Sequence, residues 1–251
     1  RHSIHDPAEN HAVNASATLK LLALSRSEKV GRFVYVSTSE VYGTARQTPM
    51  TEEHPTMPHT VYGGSKLAGE CYTRAYFDTY GYSTVIVRPF NAFGPRSHHE
   101  GDSGEVIPKF MLRCLAGQPM VIFGDGSQTR DFTFVGDTAR GILQAGLSDR
   151  ALGETINLGQ GKEITVRELA DHIRAVTGNA DAEIVHDDPR PGDVLRLFAD
   201  SGKAGELLGF APQIGLADGL EHLREWYASL GLAPDTLLEG EARYNWRTDG
   251  T

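Results

Sequence analysis

The chain has 251 residues, 39% hydrophobic and 23% charged, and a formal net charge of −9. This length can bury a full core, and an acidic balance without a basic block argues against nucleic acid and anionic membranes as partners. Two cysteines, Cys71 and Cys114, are too few for a disulfide framework, and no membrane-length apolar run or secretory signal pattern is visible, so a cytoplasmic location is expected.

Asp6-Pro7-Ala8-Glu9 reads as an N-cap, Pro at the first helical position and an acidic first turn. Val13, Ala17, Leu21, Leu22 and Leu24 then recur at helical spacing to about Ser27. Phe33-Val34-Tyr35-Val36 predicts a buried strand that ends on Ser37-Thr38-Ser39-Glu40-Val41-Tyr42-Gly43. The polar loop 44–60 is long enough that a function is expected of it. A helix follows from Tyr62 to Tyr80, with Gly81 as its stop. Ser83 to Val87 is a β-branched strand running into Arg88-Pro89-Phe90-Asn91-Ala92-Phe93-Gly94-Pro95-Arg96. That stretch sits where open α/β sheets bind ligands, at the carboxyl end of a parallel strand.

Residues 97–105 read as a polar loop, and His98-His99-Glu100 as its solvated part without metal-ligand spacing. A helix is expected over Val106 to Leu115, then a short strand, Val121-Ile122-Phe123. The turn Gly124-Asp125-Gly126 leads to a strand at Phe132 to Val135 and a helix from Asp137 to Leu147. Thr155 to Gly159 reads as a buried strand. Beyond Gly161, Thr165 is a good N-cap for a helix ending at Thr177. A strand at Glu183 to His186, a proline loop 188–193 and helices at about 201–208 and 216–230 follow. The charged tail 233–251 is expected to wrap or fray.

Tyr62 and Lys66 are four residues apart and share a helix face. A phenol has a pKa of about 10 and is a poor base at neutral pH, but a nearby ammonium favours the phenolate. A strand end carrying hydroxyls opposite such a helix makes a proton-transfer site.

In order, these motifs resemble the extended short-chain dehydrogenase/reductases, specifically the NAD-dependent nucleotide-sugar epimerases and dehydratases, over nearly all of residues 1–230. Asn14-Ala15-Ser16-Ala17-Thr18 looks like the family's Asn-x-x-Gly-Thr helix, with Ala17 in the glycine place. Ser37 to Gly43 is similar to its catalytic strand, and Tyr62 with Lys66 to its Tyr-x-x-x-Lys pair. Gly124 to Phe132 and Arg190-Pro191-Gly192-Asp193 are similar to its substrate-binding segments. The resemblance implies an α/β fold, an N-terminally truncated Rossmann-type doubly wound parallel sheet with a small α/β substrate-binding domain. Residues 1–90 and about 131–160 would form the cofactor part, residues 91–130 and 161–232 the nucleotide-sugar part, and 233–251 a tail.

The resemblance also implies roles. Tyr62 takes the sugar 4-hydroxyl proton as hydride leaves C4 for NAD, Lys66 lowers the phenol pKa and holds the nicotinamide ribose, and Thr38 hydrogen-bonds the same oxygen. Ser39 and Glu40 complete the catalytic set. Ser37, Tyr62, Lys66, Pro89 and Asn91 would contact the cofactor. Asn91, Val106, Val121, Phe123, Arg130, Arg190 and Asp193 would hold the nucleotide-diphospho-sugar, with the two arginines on the diphosphate. No metal is expected. A homodimer is implied, through a four-helix bundle of the helices at about Pro7–Ser27 and Tyr62–Tyr80.

Three departures stand out. No Gly-x-x-Gly-x-x-Gly occurs, and no acidic ribose-binding residue follows a first strand. The expectation is a fragment of a longer chain, a chain completed from elsewhere, or a degenerate relative, with weak or no NAD binding as it stands. Val61 occupies a place where relatives often have Pro. Thr38-Ser39-Glu40 replaces the Thr-Asp-Glu of dTDP-glucose 4,6-dehydratases. It looks like GDP-mannose and UDP-N-acetylglucosamine 4,6-dehydratases and UDP-glucuronate decarboxylases. Dehydration needs a base for the C5 proton and an acid for the leaving C6 hydroxyl, and Glu40 supplies such a group. A 4,6-dehydratase is therefore expected, with a 4-epimerase, a decarboxylase, or a catalytically silent relative as alternatives.

Overall fold

The computed structural model describes residues 2–101, 104–190 and 194–244. The chain opens with α1 (His2–His5) and α2 (Pro7–His11), a π-helical turn at Ala12–Ser16, and α3 (Ala17–Ser27). Asp6 caps α2 by accepting from Glu9 N at 2.8 Å. The sequence pattern is that of one helix, whereas the observed rod widens by one turn in the middle. That turn leaves the Asn14 carbonyl to accept from Thr18 Oγ1 at 2.8 Å and Tyr35 Oη at 3.4 Å.

Next come β1 (Phe33–Val36), a 3₁₀ turn at Ser39–Tyr42, and α4 (Val61–Tyr80). Thr60 caps α4, and Gly81 closes it with φ 62°. Gly69 of α4 lies against β1. A Cβ there would sit 2.2 Å from Tyr35 Oη and 2.9 Å from Asn14 O. The chain continues through β2 (Thr84–Pro89), β3 (Ala92–Phe93), α5 (Val106–Leu115), β4 (Met120–Phe123), β5 (Thr129–Arg130) and β6 (Thr133–Phe134). Then follow α6 (Val135–Leu147), β7 (Thr155–Leu158), β8 (Ile164–Thr165), α7 (Val166–Thr177) and β9 (Ile184–Asp187). The last elements are α8 (Gly202–Leu208), α9 (Leu216–Ser229) and α10 (Pro234–Leu237).

The main sheet is parallel, in the order β1-β2-β7, with Val36 opposite Val87 and Val87 opposite Ile156. The central strand β2 is buried on both faces from Thr84 to Arg88, which is why it reads as a continuous apolar run. Val85, Val87, Ile156 and Leu158 share one core cluster with Ala145 and Phe210. A second cluster joins Phe110, Met111 and Ile122 to Leu169, Ile173 and Leu223, around the parallel pair β4–β9. Short pairs, parallel β3–β6 and antiparallel β5–β8, complete the strand set.

Loop 44–60 is anchored at Met50, which is fully buried. Met50 N donates to Phe198 O at 2.7 Å, and Met50 O accepts from Asp200 N at 2.9 Å. His99 corrects the solvated reading of its loop: it is buried with its ring edge-on to Tyr227, centroids 5.7 Å apart. The flat imidazole closes the edge of the second core there, while His98 and Glu100 stay exposed. Among the described residues, no helix is long and apolar enough to cross a membrane.

Candidate active site

β1 and β2 are parallel and in register, so Ser37 and Thr38 emerge beside the end of β2. Ser37 N donates to Val87 O at 2.8 Å, while its hydroxyl is buried without a hydrogen-bond partner. Pro89 is the last residue of β2, opposite Leu158 of β7. Asn91 follows, accepting from Thr133 N at 2.9 Å through its backbone carbonyl. Its side-chain Oδ1 is also buried and unpaired. Folded proteins rarely bury polar atoms without partners. Two such atoms at the carboxyl ends of adjacent parallel strands mark a place shaped for a polar ligand.

Thr38 caps the 3₁₀ turn by accepting from Glu40 N at 3.3 Å. Its hydroxyl also stands beside the Tyr62 phenol and works to lower that group's pKa. Ser39 is buried at the start of that turn. Glu40 Oε2 accepts from Thr60 Oγ1 at 3.0 Å, and the same Thr60 oxygen accepts from Gly63 N at 3.0 Å. One threonine thus holds the carboxylate and starts the helix that carries Tyr62. Gly63 permits this contact, because a Cβ there would lie 2.9 Å from Glu40 O.

Burial pushes the Tyr62 pKa up from its ordinary value, the Glu40 charge pushes it further, and the Thr38 hydroxyl offsets part of both. Lys66 donates from Nζ to Val36 O at 2.6 Å and stands 4.6 Å above the Tyr35 ring. Burial lowers its pKa, and Glu70 opposes that shift. The ammonium is therefore seated on the end of β1, and the groups that shift the phenol are burial, Glu40 and Thr38.

Beneath this site runs a buried polar chain. Arg88 makes a bidentate pair with Glu70, at 2.9 and 2.6 Å, and donates to Tyr42 Oη at 2.8 Å. Tyr42 in turn donates to Asn157 Oδ1 at 2.7 Å. Helix α4, the 3₁₀ turn, β2 and β7 are tied together by these four residues.

A second cleft brings together Val106, Val121, Phe123 and Arg190. It also contains Lys109, Phe110 and Arg113 of α5, and Glu241 and Arg243 of the C-terminal segment. The α5 members repeat at helical spacing with Val106, so that signal was present in the sequence; the tail members follow no period. Arg130 is not among the residues lining this cleft; it donates to Thr129 O at 2.8 Å and Val194 O at 2.6 Å. Asp193 lies outside the described residues. No group of three potential metal ligands occurs among the described residues.

Comparison with known proteins places the chain in a family. Residues 1–223 match the GDP-mannose 4,6 dehydratase family. The chain belongs to the extended short-chain dehydrogenase/reductase family of nucleotide-sugar epimerases and dehydratases. It is 36% identical to a UDP-glucose 4-epimerase of Mycolicibacterium smegmatis, over 90% of this chain and 72% of that protein. The solved structure of epimerase Mth375 from Methanothermobacter thermautotrophicus is similar at a TM-score of 0.88 and 36% identity, covering 95% of this chain and 70% of that one. A double mutant of DesIV, a dTDP-glucose 4,6-dehydratase from Streptomyces venezuelae solved with NAD and DAU bound, is similar at a TM-score of 0.83 and 33% identity. That match covers 90% of this chain and 69% of that one. The family therefore includes both 4-epimerases and 4,6-dehydratases, with NAD-bound members among the structural neighbours.

Proposed function

We propose that this chain carries the catalytic face of an enzyme that oxidises C4 of a nucleotide-diphospho-sugar, removes water across C5 and C6, and then returns the C4 hydride to C6 with a solvent proton added at C5, for a net loss of water. The observation that carries this reading is Glu40, a carboxylate held by Thr60 and close enough to raise the Tyr62 pKa. Tyr62 accepts the C4 hydroxyl proton, with the Thr38 hydroxyl beside the phenol favouring its ionised form. A ketone at C4 acidifies the C5 hydrogen, and Glu40 takes that proton and returns one to the departing C6 hydroxyl.

The strand ends fit a nicotinamide cofactor, because Ser37 Oγ and Asn91 Oδ1 are buried without partners beside Pro89 and the Lys66 ammonium. Ser37, Pro89 and Asn91 would line it, and Lys66 would reach its ribose hydroxyls. When bound, NAD⁺ supplies the hydride acceptor and a positive charge that favours the phenolate.

The reaction is tested with UDP-, dTDP- and GDP-hexoses plus NAD in deuterated water. A 4-keto-6-deoxy product carrying deuterium at C5 supports dehydration. A C4-inverted product without deuterium at C5 refutes it and favours 4-epimerisation, the activity named for the Mycolicibacterium relative.

A further inference from the structure

We propose that residues 238–244 form a strap that is itself part of the nucleotide site, with Tyr244 and Arg243 as base-side wall and Glu241 as the positioning residue that docks it. The inference rests on the reading of the second cleft as the nucleotide pocket of a nucleotide-sugar enzyme.

The strap starts from a fixed point. Leu238 is buried in the second core cluster, and Gln118 Nε2 donates to Asp235 Oδ1 at 2.8 Å just before it. The chain then crosses α5. Lys109 Nζ donates to Ala242 O at 2.7 Å, and Arg113 clasps Glu241 through Nε at 3.2 Å and NH2 at 2.7 Å. The Glu241 side chain is only 8% exposed. At its far end the strap reaches β9: Arg243 donates to Asp187 Oδ2 at 3.1 and 2.8 Å, and Tyr244 Oη donates to the same oxygen at 2.7 Å. Both latches stand on the rim of one cleft.

The chemistry of that cleft names its occupant. Its floor is apolar and partly aromatic, from Phe110, Val121 and Phe123. The Phe123 ring has the Arg190 guanidinium 5.8 Å from its centroid and the Tyr244 ring at 6.1 Å. A flat floor with an aromatic and a guanidinium beside it suits a planar base, and the surrounding guanidinium groups suit phosphate. Lys109, Arg113, Arg190 and Arg243 outnumber Glu241 and Asp187 here, although the whole chain carries a net charge of −9. The ligand class is a nucleoside diphosphate. A buried carboxylate is costly unless paired, so Glu241 can be buried only in the geometry that pairs it with Arg113 and Lys109, which fixes where the strap docks. A base lying on Phe123 touches the strap, which makes strap docking and nucleotide binding one coupled equilibrium.

The test is calorimetry of UDP, dTDP and GDP on the intact chain, on Tyr244→Ala, on Glu241→Gln and on a chain ending at Glu239, which keeps Leu238 in the core. Each variant is expected to weaken nucleotide binding about five- to tenfold, and for Tyr244→Ala, which leaves the cations in place, inorganic pyrophosphate binding is expected to change less than about twofold. On the intact chain, saturating UDP is expected to slow tryptic cleavage after Arg243. Should Glu241→Gln or the shortened chain fail to fold, Tyr244→Ala, whose ring lies outside the core clusters, carries the comparison. Unchanged nucleotide affinity in the folded variants overturns the strap while leaving the nucleotide-sugar reading intact. If the intact chain binds none of the three nucleotides, the nucleotide-sugar reading falls and the strap with it.

Discussion

Glu40 acts on its neighbours through charge and through one hydrogen bond, and the two are separable. Glu40→Gln removes the negative charge that raises the Tyr62 pKa but keeps an acceptor for Thr60. The phenol pKa is expected to fall, read by NMR titration of ¹³C-labelled tyrosine, and dehydration to slow by at least about 100-fold. An unmoved tyrosine titration would show that Glu40 does not couple to Tyr62. Asp131 is a second isolated case. It is fully buried and accepts from Gln160 N, Gly161 N and Ala199 N at 2.8, 3.1 and 3.1 Å. Burial outweighs those donors and lifts its pKa to about 6. With the folded value raised, its contribution to stability is full below the ordinary carboxylate value of about 3.9 and is lost as pH rises through about 6. Asp131→Asn is expected to remove a pH dependence of at most about 3 kcal/mol in that window. Parallel melting curves for the two proteins between pH 4 and 6 would contradict this. The residue types of the site were legible because proton transfer needs few kinds of side chain. The seat of Lys66 was not, since helical spacing places it on the Tyr62 face but says nothing of the Val36 carbonyl.

At the level of elements, the Glu70–Arg88 pair joins α4 to β2 beneath the catalytic turn. Arg88→Met strands a buried carboxylate and is expected to cost about 3–5 kcal/mol, a fall of roughly 10 °C in Tm. Replacing both partners by apolar residues should cost much less, and equal losses for single and double variants would refute the pairing argument. Gly69→Ala is expected to push α4 off Tyr35 and Asn14 and to lower Tm as well. Most elements could be read directly. Phe33–Val36 and Val106–Leu115 coincide with their expected spans, and Thr165 caps α7 in a capping box with Glu168. Each has a local cause, an apolar run or a cap. What escaped has a distant cause. The π turn answers to Tyr35, the two-residue strand β3 exists only through its pairing with β6, which lies within the strand expected at Phe132 to Val135, and loop 44–60 is held by residues 198–200. The tail lacks a period, and ion pairs with α5 and β9 hold it in place.

Over the whole molecule, α2–α3 and α4 leave Val13, Leu21, Leu24, Tyr72 and Tyr80 exposed. We propose that this face joins two copies as a four-helix bundle. Light scattering is expected to give a dimer, with Leu24→Glu shifting it toward monomer; a monomeric parent chain would refute the assignment. The same scale includes the join between α4 and β1. Phe33 N and Ser37 N donate to carbonyls on the β2 side, so by strand alternation Val34 and Val36 present their backbone groups to the other side. Lys66 Nζ satisfies the Val36 carbonyl there. The residue assigned to catalysis therefore also fastens its helix to the sheet, and Lys66→Met should lower Tm by a few degrees as well as abolish turnover.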